Sequence, residues 1–150
     1  MRGEPKLLFG YPEQVAAWVA ARIPHMHGRG FAGISDAIGI GNEETGRMYA
    51  GIVFHDHQPE CQNVQISMAS DSPLWATRGT IRALLHYPFV QLGCYMAWTL
   101  IPVGNERAIR INEKVGFERK SIVPHAYGPK KHAVIYQMRA CDYARVFGVK

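Results

Sequence analysis

The chain is poor in cysteine. Its three, Cys61, Cys94 and Cys141, are an odd number at spacings that fit neither a zinc cluster nor a redox pair, so they read as buried or idle thiols. Long apolar runs are also missing, since His, Gly, Pro or charged residues interrupt each one well short of bilayer length. The start, MRGEPK, has none of the apolar character of a signal peptide. A cytoplasmic protein without membrane contact is expected. Repeats, low-complexity tracts and linkers are absent too, and 150 residues at 47% hydrophobic content suit a single domain over 1–150 with one core. Acidic residues are outnumbered, 12 against 17 basic, which gives a net charge of +5 and favours an anionic partner. The basic residues Arg29, Arg119, Lys120, Lys130 and Lys131 are dispersed, with no interleaved aromatics of an RNA-binding signature, and no nucleic-acid partner is expected.

Hydrophobic periodicity divides what is present. A short strand at Lys6 to Phe9 precedes a helix over Tyr11 to Ile23, with apolar residues at Val15, Trp18, Val19 and Ile23. From Ala32 to His57, β-branched and aromatic residues flank a polar turn, which predicts a hairpin. Asn63 to Ala69 alternates Val64, Ile66 and Met68 with Gln65 and Ser67 and completes an antiparallel meander. After the turn at Asp71-Ser72-Pro73 comes a helix with Ile81, Leu84 and Leu85 on one face, which Pro88 should end or kink. Cys94 to Ile101 reads as a buried strand, parallel to Asn63 to Ala69 across the helical crossover. Asn105 caps a further helix that stops at Gly116, and the strands Phe117 to Val123 and Ala133 to Arg139 close the chain around the loop PHAYGPKKH. The fold class is mixed α/β, ordered strand, helix, three-strand meander, helix, strand, helix, two strands.

The segment Val103 to Phe117 (VGNERAIRINEKVGF) carries the most specific pattern. It resembles the late helix of the GNAT N-acyltransferases, N-x-x-A-x-x-(L/I)-x-E-K-x-G-F, matched here by Asn105, Ala108, Ile111, Glu113, Lys114, Gly116 and Phe117. The run WATRGTIRALLHYPFVQLGC together with GFERKSIVPHAYG is similar to a branch of that superfamily often encoded by tailed phages and prophages. The resemblance implies acetyl-CoA as co-substrate, a primary amine of unspecified identity as acceptor, and direct transfer in a ternary complex. It places a pyrophosphate at the glycine-rich start of the earlier helix, on Ala76, Thr77, Arg78, Gly79, Thr80, Ile81 and Arg82, where a helix N-terminus offers backbone N–H groups. The family signature Q/R-x-x-G-x-G/A is incomplete in either register. Gly79 can take the first glycine with Ile81 at the second, or Arg78 and Ala83 can take the outer slots. The resemblance further puts the pantetheine arm beside Ser67, Met68, Ala69 and Ser70, with the Met68 N–H on the thioester carbonyl, and near Asn105.

Acetyl transfer to an amine needs a base or a water chain, and a donor for the departing thiolate helps. Many family members place a Tyr in the late helix; Asn112 stands there, and Ala108 removes the Ser found in some relatives. Tyr127 and His55 are the substitute catalytic candidates, with Glu43, Glu44, Asp56, Glu60 and Asp71 as unranked bases. The pairs His25/His27 and His55/His57 have metal-ligand spacing but no assured third ligand, so no metal is expected. The competing expectation is a catalytically inactive acyl-CoA-binding or regulatory module on the same fold, motivated by Asn112 and the imperfect glycine turn. Edge strands and the aromatic run CYMAWT leave a homodimer open.

Overall fold

The computed structural model describes residues 6–148; the opening Met1 to Pro5, part of the stretch read for a leader, lies outside them. Seven strands and four α-helices follow in the order β1 (Lys6–Leu8), α1 (Pro12–Ala20), β2 (Ile34–Gly41), β3 (Met48–Gln58), β4 (Asn63–Ser70), α2 (Arg78–His86), β5 (Met96–Pro102), α3 (Glu106–Val115), β6 (Glu118–Val123), β7 (Ala133–Arg139) and α4 (Ala140–Phe147). Among the described residues, contacts group them into two compact units, residues 6–57 with 66–84 and residues 58–65 with 85–148, so that β4 contributes to both. Among the described residues no helix is long and apolar enough to cross a membrane.

In the first unit β1 and β3 flank β2, both antiparallel to it. The middle of β2 and β3 is buried on both faces, which is why strict alternation is weak there. Helix α1 starts at Pro12, a favoured first helical position, and its Val15, Ala16 and Val19 form a core with Ala37 and Val53. This helix ends at Ala20, short of the expected Ile23, because Ile23-Pro24 disfavours continuation and a 3₁₀ turn takes over at Pro24–Met26. Its seat is a cross-strand pair without side chains, Gly39 opposite Gly51. A Cβ on Gly51 would meet Val19 Cγ2 at 2.7 Å, so the missing side chains set how closely α1 approaches the strands.

In the second unit β4 pairs with β5 in parallel over Asn63–Gln65, as the helical crossover requires. The closing strands then reverse sequence order: β7 sits next to β5, and β6 lies outside β7, both pairs antiparallel. The α-helix of the crossover ends at His86, two residues before Pro88, as the proline requires. Pro88 sits in a five-residue π-helical stretch, Tyr87–Gln91, which absorbs the missing proline N–H. Asn105 caps α3 as expected, its Oδ1 accepting from the Ala108 N–H at 3.2 Å, and Gly116 ends the helix in the left-handed region at φ 112°. A helix that the sequence pattern did not suggest, α4, follows β7. The Asp142 carboxylate accepts from the Arg139 N–H at 3.1 Å, and Tyr143 stacks on Phe89 at 5.2 Å.

Candidate active site

The first unit brings together more of the expected site residues than any other part of the chain. Strand β3 carries His55, only 6% exposed, and β4 carries Ser67 to Ser70, all partly buried. His55 Nε2 lies 2.8 Å from Ser67 Oγ, and His55 Nδ1 lies 2.6 Å from Asp56 Oδ2. A carboxylate can only accept, so Nδ1 carries the hydrogen of the neutral ring, and Nε2 is left to accept from the serine hydroxyl. Phe31 covers the imidazole, ring centroids 5.1 Å apart.

Neighbouring residues of a regular strand point to opposite faces, so Asp56 should not reach His55. The backbone of Asp56 makes it possible. The β2–β3 register shifts between Ile34 and Asp36, and Asp56 adopts φ 54°, a left-handed conformation rare inside a strand. The Asp56 N–H donates to the Gly33 carbonyl at 3.0 Å, while Asp56 Oδ1 would lie 3.4 Å from a Cβ on Gly33.

The remaining candidate bases are placed otherwise. Asp71 is held by Arg22 in a two-point ion pair, at 2.9 and 3.2 Å, with the guanidinium 3.5 Å over the Trp18 ring. Glu43 and Glu44 lie in the exposed β2–β3 turn, organised by Asn42 Oδ1, and Glu60 lies in the exposed β3–β4 turn. Burial first, and the neighbouring His27 second, lower the pKa of His25. Among the described residues no three His, Cys, Asp or Glu are grouped as a metal would need.

The start of α2 is only partly open to a ligand. Ala76 and Thr77 N–H groups donate to the Pro73 and Trp75 carbonyls, and the Ile81 N–H donates to the Thr77 carbonyl. Thr77 Oγ1 accepts from the Thr80 N–H at 3.3 Å, and the Ala76 and Ile81 side chains are buried. Gly79 remains as an exposed second helical position, where no intrahelical acceptor exists for its N–H. A Cβ there would meet nothing within 4 Å. Just upstream, the buried Trp75 indole N–H has no hydrogen-bond partner among the described residues.

In the second unit, Asn105 is exposed with Oδ1 committed to the α3 cap, and Asn112 is buried and donates from its amide to the Ala108 carbonyl at 2.9 Å. Tyr127 lies in the β6–β7 loop, which is braced by ring acceptors: the His125 N–H donates to His132 Nδ1 and the Lys130 N–H to His125 Nδ1. Burial pushes the Tyr127 phenol up to about 12, so it stays protonated throughout the neutral range. An ultraviolet titration of the native protein minus that of Tyr127→Phe is therefore expected to show one phenol ionising near 12, displaced from the ordinary value of 10. A difference curve centred near 10 would mean the hydroxyl is solvated.

Fold comparison agrees with this layout. A point mutant of spermidine N-acetyltransferase from Vibrio cholerae superposes with a TM-score of 0.63 at 13% identity, over 72% of this chain and 67% of that one. A protein assigned as an acetyltransferase gives 0.69 at 16% identity over 99% of this chain and 90% of that one. Another such protein gives 0.58 at 18% identity over 69% of this chain and 61% of that one. The chain thus has the mixed α/β fold of the acetyltransferases. No protein-family model matches the sequence, and no curated protein matches it.

Proposed function

We propose that the chain is an acetyl-CoA-dependent N-acetyltransferase acting on a primary amine. The observation that carries the reading is the short parallel ladder of β4, which pairs with β5 over Asn63–Gln65 while the strand runs on to Ser70. Residues Ser67 to Ser70, past the end of that ladder, are where an extended pantetheine arm would hydrogen-bond to backbone, with the Met68 N–H on the thioester carbonyl. The exposed Gly79 amide at the start of α2 would meet the pyrophosphate, favoured by the helix dipole. Because Ala76, Thr77 and Ile81 spend their N–H groups internally, this assignment concentrates on Gly79 rather than on the whole segment. The amine would be deprotonated at the β3–β4 end of this unit, where His55 and Asp56 lie. Asn112, buried and bonded where the resemblance expects a tyrosine acid, favours a second reading, a module that binds acyl-CoA without transferring the acyl group.

Calorimetric titration with acetyl-CoA tests the cofactor assignment, with Gly79→Glu as the control. The new side chain enters open space, and an acidic residue suits the first turn of a helix, so folding should be unharmed. Saturable binding by the natural chain, weakened at least tenfold (about 1.4 kcal/mol) by the substitution, is expected. A folded protein that binds no acetyl-CoA would end this reading, and binding without transfer to any amine would favour the second.

A further inference from the structure

We propose that Asp56, His55 and Ser67 give this chain a further activity, hydrolysis of activated acyl esters and thioesters through an acyl-serine on Ser67. The three groups form one continuous line, Asp56 Oδ2 to His55 Nδ1 at 2.6 Å and His55 Nε2 to Ser67 Oγ at 2.8 Å. Both distances lie within the reach that activates a serine through an oriented base. The carboxylate fixes the tautomer that leaves the Nε2 lone pair aimed at the hydroxyl.

Two further features fit a nucleophile better than a packing contact. First, the Asp56–His55 bond exists only because Asp56 leaves the β region at φ 54°, a conformation that costs an L-residue on the order of 1 kcal/mol. Strain of this kind persists where it positions a group. Second, access is graded along the line. The imidazole is buried under Phe31, whereas Ser67, the residue that must meet the acyl carbonyl, is only half-buried.

The chemistry balances without any other reagent than water. Ser67 Oγ bonds to the acyl carbon while its proton passes to His55 Nε2. The bond from that carbon to the donor oxygen or sulfur breaks, and the leaving group takes the proton from the imidazolium. Water then attacks the O-acyl-serine, giving its proton to His55, which returns one to Ser67 Oγ as the carboxylic acid departs. With acyl-CoA as donor the activity rests on the cofactor reading above; with a simple activated ester it does not.

The test uses the full chain without amine, incubated separately with p-nitrophenyl acetate and with acetyl-CoA, and reads nitrophenolate release, free thiol and the acetylated peptide by mass spectrometry. Acetyl on the Ser67 peptide is expected. Ser67→Ala, which removes one hydroxyl from a half-buried site, and His55→Gln should each slow release by about 10²- to 10⁴-fold, with Asp56→Asn between them and the natural chain. Circular dichroism confirms that each variant is folded. Release unchanged in Ser67→Ala, or acetyl found on lysines alone, would overturn the proposal. Acetyl-Ser67 from the ester in a chain that binds no acetyl-CoA upholds the serine centre and removes the cofactor reading. Calorimetric binding of acetyl-CoA with no acetyl-Ser67 from either donor overturns the serine centre and spares that reading.

Discussion

Gly51→Val is expected to destabilise the first unit by about 3 kcal/mol or more, at the upper end of what overpacking a core costs. The added Cβ alone would stand 2.7 Å from Val19 Cγ2, 3.2 Å from Val15 Cγ1 and 3.3 Å from Met48 Cε. Met48 can swing its thioether aside, but the two valines cannot yield in the same way. Both are buried to 1% or less, and a β-branched side chain in a helix is confined to essentially one rotamer. Relief therefore requires α1 itself to move off the Gly39–Gly51 pair, and the core of Val15, Ala16, Val19, Ala37 and Val53 opens with it. Urea unfolding of Gly51→Val, Gly51→Ala and Gly51→Ala with Val19→Ala measures this. The double variant should lose less stability than the sum of its single changes, because Val19→Ala removes the obstructing methyl. Gly30→Ala is the contrasting case. Its Cβ meets nothing within 4 Å, so it should be neutral or stabilising by about 0.4–1 kcal/mol through the unfolded chain. Additive losses at Gly51 and Val19 would mean that α1 is not seated on this glycine pair.

How far the sequence reaches can be judged element by element. The β4–α2–β5 crossover, the Asn105 cap and the Gly116 stop were legible because each rests on chemistry confined to a few neighbouring residues. Helix α4 was not. Its apolar face is little more than Tyr143 and Phe147, and its capping interaction runs from Asp142 back to Arg139, a residue that also ends a strand. The order β5-β7-β6 was hidden for another reason, since which of two closing strands moves inward depends on burial in three dimensions. At the site, His55, Asp56 and Ser67 were each nameable, but in separate roles. A signal for their union existed: a tight turn centred on residue 61 would mirror position 55 onto position 67 and set both side chains on one face. The Asp56 contact could not be foreseen, because adjacent strand residues diverge and only the left-handed backbone of Asp56 turns one back onto the other.

In the second unit the largest effect belongs to Tyr136, which is 1% exposed at the centre of β7, opposite Thr99 on β5 and Arg119 on β6. Tyr136→Ala should cost about 3–5 kcal/mol, the range for deleting a large buried ring from strands that cannot collapse onto the space. Tyr136→Phe keeps the ring and isolates the hydroxyl. Burial, with the Glu113 charge next, raises the phenol above its ordinary value of 10, so the native chain keeps a proton that the unfolded chain releases at alkaline pH. The unfolded state then binds fewer protons, and stability, fully present below pH 10, must fall as pH rises beyond it. Tyr127 adds a fall of the same sign between 10 and about 12. Urea midpoints read from tryptophan fluorescence at neutral and alkaline pH should show the natural chain weakening above about pH 10. Tyr136→Phe should weaken less steeply, and Tyr136→Phe with Tyr127→Phe less still. Parallel slopes for all three chains would mean that neither phenol is held protonated by the fold. A small loss for Tyr136→Ala would mean that β7 does not carry the core between β5 and β6.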